Sequence, residues 1–128
     1  MILVDSSFFV ALADAKNRWH ADARRLRSRL RGHVVVSDLF MAEAATILGR
    51  RQGGKAAALV CEFMQDNCRI EFLDAKALPE VLQEHLRYDG TLSLADAHAV
   101  WLMASLGIRE ILSFDSDFDR VKGIRRIS

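Results

Sequence analysis

Short apolar runs suited to β-strands return four times along this chain, at Ile2–Val4, Val34–Val36, Ile70–Leu73 and Ile111–Phe114, and two helical stretches fill each gap between them. A fifth, weaker run lies near Arg125–Ile127. Strands that alternate with helices specify an α/β fold with a mainly parallel sheet. The expected helices are Ser6–Ala13 and Trp19–Leu30 after the first strand, Leu39–Arg50 and Lys55–Gln65 after the second, and Leu78–Tyr88 and Leu94–Leu106 after the third, with a short helix at Phe118–Val121. Gly53-Gly54 and Asp89-Gly90 break the later pairs, and Gly107 supplies a C-terminal stop. The order predicted is β-αα-β-αα-β-αα-β-α-β.

With 128 residues, about half of them apolar, the chain is long enough to bury one real core, and no repeat or linker divides it, so residues 1–128 are expected to form a single domain. No basic and apolar leader precedes Asp5, and the longest charge-free stretch considered, Ala97–Ile108, is too short for a membrane span. Cys61 and Cys68 match neither a zinc knuckle nor a disulfide framework; the expected setting is a reduced cytoplasm, with no membrane. Cys61 reads as an inert core thiol.

The informative residues are acids where the pattern asks for apolar side chains. Asp5 follows the strand Ile-Leu-Val directly, and Asp115 follows Ile-Leu-Ser-Phe, which places both at carboxyl ends of strands, the edge where open parallel sheets bind ligands. Adjacent strands would bring the two together. Glu43 is the only charge between Leu39 and Gly49, and Asp96 the only one between Thr91 and Ile108. Helices that apolar are mostly buried, and a carboxylate buried alone costs several kcal/mol or takes up a proton, so each needs a cation, donors or a water-filled pocket. Neither has a Lys or Arg one turn away; Glu43 has Leu39 and Ile47 there, and Asp96 has Leu92 and Val100.

Four carboxylates without His or Cys form a hard-oxygen set suited to Mg²⁺ or Mn²⁺, and the chemistry such a set serves is phosphodiester hydrolysis. The structural alternatives stand beside this reading. Asp5 and Asp115 are placed to cap the helices that follow them, and Asp96 is a first-turn acid favoured by the helix dipole. Glu43, in mid-helix, escapes that account.

In order and spacing these motifs resemble the PIN domain, most closely the toxin ribonucleases of VapBC-type toxin-antitoxin pairs. Ile-Leu-Val-Asp5-Ser6-Ser7 resembles the opening strand and first acid, Met-Ala-Glu43-Ala-Ala the second acid on the third helix, Leu-Ser-Leu-Ala-Asp96-Ala the third, and Leu-Ser-Phe-Asp115-Ser-Asp-Phe the fourth. The resemblance covers essentially the whole chain. It implies a PIN-like fold and a Mg²⁺- or Mn²⁺-dependent endoribonuclease that acts on RNA as a toxin, forms a homodimer and is blocked by a cognate antitoxin. By matching position, Asp5, Glu43, Asp96 and Asp115 are the catalytic, metal-holding residues. Ser7 stands where relatives carry a small polar residue beside the site, and Asp117 lies close enough to assist through water, although Asp117 and Asp119 read equally as solvent acids or caps.

Bulk charge is +1 and says nothing about partners, but it is polarised: residues 1–55 hold ten Lys/Arg against five Asp/Glu, and the remainder eight against twelve. Six of those cations are arginines between Arg18 and Arg31. Arg24, Arg25 and Arg29 are therefore candidate RNA contacts, against the alternative of a solvated helix face. The stripe Trp19, Ala23, Leu26, Leu30 is the buried side of that helix. Val100, Trp101 and Met103 read as core, while Phe40 and Met41 fit either the core or a dimer or antitoxin groove. His20, His33, His85 and His98 show no ligand spacing and receive no catalytic role.

Three other functions use related folds. A phosphorylation receiver would use Asp74 as acceptor, but it would pair a second acid with Asp5, put a Lys where Asp115 stands, and leave Glu43 and Asp96 without purpose. The others are a PIN nuclease of RNA processing without an antitoxin and a non-catalytic member that binds RNA or protein.

Overall fold

The structure is a computed structural model and describes residues 1–128. Five parallel strands, β1 (Ile2–Val4), β2 (Val34–Ser37), β3 (Arg69–Glu71), β4 (Glu110–Leu112) and β5 (Arg125–Ile127), form one sheet in the order β3-β2-β1-β4-β5. Every residue of β1 and β2 is buried, as expected of strands covered on both faces. The chain builds outward from β1 to β2 and β3 on one side and returns to place β4 on the other. That reversal makes the β1/β4 junction the switch point at which parallel sheets open a crevice.

Six α-helices connect the strands: α1 (Ser6–Ala13), α2 (His20–Leu26), α3 (Asp38–Gln52), α4 (Gly54–Asn67), α5 (Leu78–Arg87) and α6 (Leu94–Leu106). The limits of α1 and α6 match those expected from the sequence. The expected Trp19–Leu30 helix does not run through: it tightens into a 3-10 turn over Arg27–Leu30, and Gly32, at φ +85°, then reverses the chain into β2. The last short helix is a 3-10 turn over Ser116–Arg120, starting earlier than the sequence suggested. Ser37 caps α3 by accepting from the Leu39 amide, and Gly107, in the left-handed region at φ +69°, ends α6.

The α1, α2, α3 and α4 helices pack together, and α6 packs on α5, α3 and β2. Phe8, Phe9, Phe40 and Phe118 are fully buried within one continuous core; each such side chain contributes about 1.5–3 kcal/mol by leaving water. Phe40 is therefore a core residue and unavailable to a groove, while Met41 is partly buried against the same core. Val100 and Met103 are core as expected; Trp101 is half-buried, with its indole N–H donating to Glu80 at 2.7 Å. His98 is fully buried, with Nδ1 2.7 Å from Ser37 Oγ, and burial lowers its pKa. Cys61 and Cys68 are free thiols, both half-buried, and burial pushes the Cys68 thiol up to about 11. Asp74 follows the edge strand β3, is exposed and caps the next turn through the Ala77 amide, far from the role of an acceptor in a central crevice. No helix is long and apolar enough to cross a membrane.

Candidate active site

Pairing of β1 with β4, with Val4 opposite Leu112, sets the chain leaving each strand side by side; the Asp5 amide donates to the Leu112 carbonyl at 3.0 Å. Asp5 and Asp115 thus emerge together at the switch point. The start of α1, the middle of α3 and the first turn of α6 converge on the same place. Asp5, Glu43, Asp96 and Asp115 line one open cavity of about 600 Å³ with Ser6, Ser7, Ala42, Thr46, Ile47 and Ser93. No Lys, Arg or His is among its walls.

Asp5 is 4% exposed and is the hub. Its Oδ2 accepts from Ser113 Oγ at 2.6 Å and Ser7 Oγ at 2.8 Å, and its Oδ1 from Ser6 Oγ at 3.2 Å. It makes no side-chain cap to α1, so the capping alternative fails for this residue. Ser7 Oγ in turn accepts from the Phe114 amide and Ser113 Oγ from the Asp115 amide, which ties the end of β4 to Asp5 by two side-chain relays. Ser6 Oγ also lies 3.0 Å from Glu43 Oε1. One hydroxyl has one proton, so it satisfies only one of these two carboxylates at a time.

Asp96 and Asp115 do serve as caps, but each does so with one oxygen. Ser93 and Asp96 form a reciprocal capping box through Asp96 Oδ2, and Asp115 Oδ1 accepts from the Asp117 amide at 2.9 Å. The second oxygen of each remains for the cavity. The structural and functional readings of these two acids are therefore compatible.

Electrostatics mark the cavity as short of a cation. Burial raises the pKa of Asp5, against the opposing pull of its three serine hydroxyls, and Asp115 adds repulsion. Burial also raises Glu43, with further repulsion from Asp5 and Asp115. Asp96 is pushed up to about 6, first by burial and then by Asp5. The donor set consists of carboxylate and hydroxyl oxygens, which fits a hard divalent cation. No three acid, His or Cys side chains are drawn together closely enough to hold a metal ion between them.

Ser7 lies where the sequence put it. Asp117 is not among the cavity walls; its carboxylate is 3.9 Å from Arg120, and only its amide reaches Asp115. Asp119 pairs with Arg126, which donates to both of its oxygens. Arg24, Arg25 and Arg29 are all exposed and are not brought to the cavity. Arg25 pairs with Asp22, Arg29 lies 3.8 Å from Glu110 at the amino end of β4, the edge opposite Asp115, and Arg24 borders an apolar groove between α1 and α4. Ser113 and Ser6 escaped sequence reasoning. The signal available for Ser113 was its place two residues before Asp115, a polar side chain in an otherwise apolar strand.

Comparison with known proteins agrees with this fold. A family model described as PIN domain matches residues 2–124. The 23S rRNA-specific endonuclease VapC20 of Mycobacterium tuberculosis, found with the same figures in two strains, is 32% identical over 120 residues, which are 92% of each chain. The crystal structure of VapC20, described as a toxin cleaving the sarcin-ricin loop, superposes with a TM-score of 0.88 at 28% identity over 97% of both chains.

Proposed function

This chain belongs to the PIN domain family and is similar to a VapC toxin endonuclease over nearly its whole length, and from that premise we propose that it is a Mg²⁺- or Mn²⁺-dependent endoribonuclease, the toxin of a toxin-antitoxin pair, acting as one domain over residues 1–128. The observation that carries this reading is the convergence of four carboxylates, from four separate parts of the chain, on one cavity whose walls hold no cation.

In this reading Asp5, Glu43, Asp96 and Asp115 hold the ion, directly or through its waters. A divalent ion held there would supply a water of lowered pKa and a counter-charge for the phosphate oxygens. Ser6, Ser7 and Ser113 orient the Asp5 carboxylate, and Ser93 fixes Asp96 so that one oxygen faces the cavity. A carboxylate of this set that holds the ion only through its waters would be placed to accept a proton from one of them.

Leu78, Leu82 and Leu86 stand exposed at four-residue intervals on α5, which supports a homodimer. The groove lined by Phe9, Leu12, Leu59 and Phe63, with Arg24 and Arg27 at its rim, supports an antitoxin with an apolar and acidic segment. An RNA substrate and an antitoxin partner place its work in the cytoplasm.

Cleavage of a mixed structured RNA by the antitoxin-free protein, with and without Mg²⁺ or Mn²⁺, tests the proposal. Metal-dependent cutting lost in both Asp5→Asn and Asp96→Asn is expected. A folded protein that neither cuts RNA nor binds either ion would instead be a non-catalytic member of the family.

A further inference from the structure

The two tryptophans of the chain are held differently. Trp101 donates its indole N–H to Glu80, whereas the Trp19 indole N–H has no acceptor and only the Trp19 backbone is bonded, its amide to Asn17 Oδ1 and its carbonyl to the Ala23 amide, both at 2.8 Å. That Asx turn, together with the His20 ring bonded to the Ala11 carbonyl at 2.7 Å, fixes the chain just before and after Trp19. The Trp19 ring stacks on Phe114 at 5.2 Å with an interplanar angle of 4°, and Phe114 stacks on Phe8 at 6.4 Å. The Arg18 guanidinium, itself exposed, lies over the Trp19 ring, 4.5 Å from the ring centroid.

These four side chains form a column that runs from the core to solvent. Phe8 is fully buried, Phe114 and Trp19 are half-buried, and Arg18 is exposed with no acidic partner. Its middle member, Phe114, sits in the chain between Ser113, which holds Asp5, and Asp115, which lines the acidic cavity. The column therefore rises from the carboxyl edge of β4, the edge that carries Asp115, although neither Trp19 nor Arg18 is itself a wall of the acidic cavity.

We propose that Trp19 is a stacking platform for one unpaired nucleobase of a single-stranded RNA segment whose backbone enters the acidic cavity. Arg18 occupies that platform until the base displaces it. Both the indole face and the planar guanidinium are surfaces on which bases stack, and every base offers a π-face, so the subsite selects for unpaired nucleotides rather than for a sequence. The guanidinium is unpaired and exposed, so it can leave the ring and move to a neighbouring phosphate without breaking an ion pair. This inference extends the nuclease reading by naming a residue that would hold a base outside the cavity, and it rests on that reading only for the direction of the strand.

The test is binding in EDTA, where nothing is cut, read by tryptophan fluorescence. Single-stranded oligoadenylate is compared with an abasic oligonucleotide of the same length and with the duplexed oligoadenylate. Base-bearing single strands are expected to quench emission, and the signal is expected to vanish in Trp19→Leu with a loss of affinity of roughly 5- to 150-fold, the range of one base-aromatic stack. Trp19→Phe, which keeps an aromatic face, is expected to retain most of the affinity, and its competition binding covers the case in which Trp19→Leu does not fold. In metal-dependent cleavage Trp19→Leu is expected to raise KM and leave kcat nearly unchanged. Equal binding of abasic and base-bearing strands, or unchanged RNA affinity in a folded Trp19→Leu, overturns the proposal while leaving the nuclease reading intact. Unchanged RNA affinity with loss of antitoxin binding overturns it too and assigns this face to a protein. Quenching without any cleavage would sustain the stacking site and sink the nuclease reading.

Discussion

Helix α1 starts from one buried aspartate and runs out into another, and the two are held in opposite ways. Asp14, 6% exposed, accepts from the Lys16 amide at 3.0 Å and from the Arg51 guanidinium at 3.1 Å, and these contacts, the amide first, hold its carboxyl below the usual range. Asp5, 4% exposed, has only serine hydroxyls and faces Asp115, and burial raises it. At one end a buried charge is complemented within the chain and ties α1 to α3. At the other it is left with donors but no cation. The contrast separates an acid that stabilises the fold from an acid kept for something that arrives from outside, and burial alone would not distinguish them.

Exchanging each acid for its neutral isostere breaks the comparison most sharply. Asp5→Asn should lower RNA cleavage at least about 100-fold, more than the usual loss from a supporting residue, yet should not lower the melting temperature of the metal-free protein. A drop in melting temperature comparable to that of Asp14→Asn would make Asp5 a structural acid. Next in size, Ser113→Ala removes the 2.6 Å bond to Asp5 and the acceptor for the Asp115 amide, and should cost roughly 10- to 100-fold in activity or metal affinity. Full activity in that variant would show that Ser7 and Ser6 orient Asp5 unaided.

The sign of the pH response differs between the two kinds of acid. Asp96 rises from an ordinary 3.8 to about 6, so in metal-free protein the unfolded chain ionises first, and the stability linked to Asp96 is intact below about pH 4 and lost as pH rises through 6. Asp14, held low, contributes stability above that same 3.8 that is lost as acid protonates it. Melting curves of Asp96→Asn and the parent should therefore coincide near pH 4 and separate by pH 7, with the variant the more stable. Saturating Mn²⁺ should restore the parent, by about 2.7 kcal/mol at a hundredfold excess over Kd. A separation that does not change with pH would contradict the raised pKa. The smallest effect on activity is expected at the other end of the helix: Asp14→Asn, or Arg51→Met, should lower the melting temperature and leave kcat unchanged.

The sequence made the two kinds of acid only partly distinguishable. Asp5 and Asp115 were legible because each follows an apolar run directly, but the pairing of β1 with β4 that joins them was not, since the crossover rule fixes the hand of a connection and not the order of the strands. Glu43 and Asp96 stood out as single charges on apolar helices. Asp14 did not, because its partner Arg51 is 37 residues away and nothing local marks the pair. Ser6 was illegible for a related reason, and Ser113, marked only as a polar side chain in an apolar run, was nearly so: the partner of a serine is unknown until the strand beside it is placed. The tightening of Arg27–Leu30 into a 3-10 turn followed from the need to reverse at Gly32, and periodicity does not report that. Phe40 was ambiguous because apolar side chains look alike whether they face a core or a partner.

Mn²⁺ titration calorimetry on the parent protein, Asp5→Asn and Asp14→Asn tests the central claim most directly, because it reads cation binding at the cavity without requiring the right RNA. The parent and Asp14→Asn should bind with the same affinity, and Asp5→Asn should bind at least tenfold more weakly. Equal binding by Asp5→Asn, or no binding by the folded parent, would contradict the claim that these four carboxylates form a metal site.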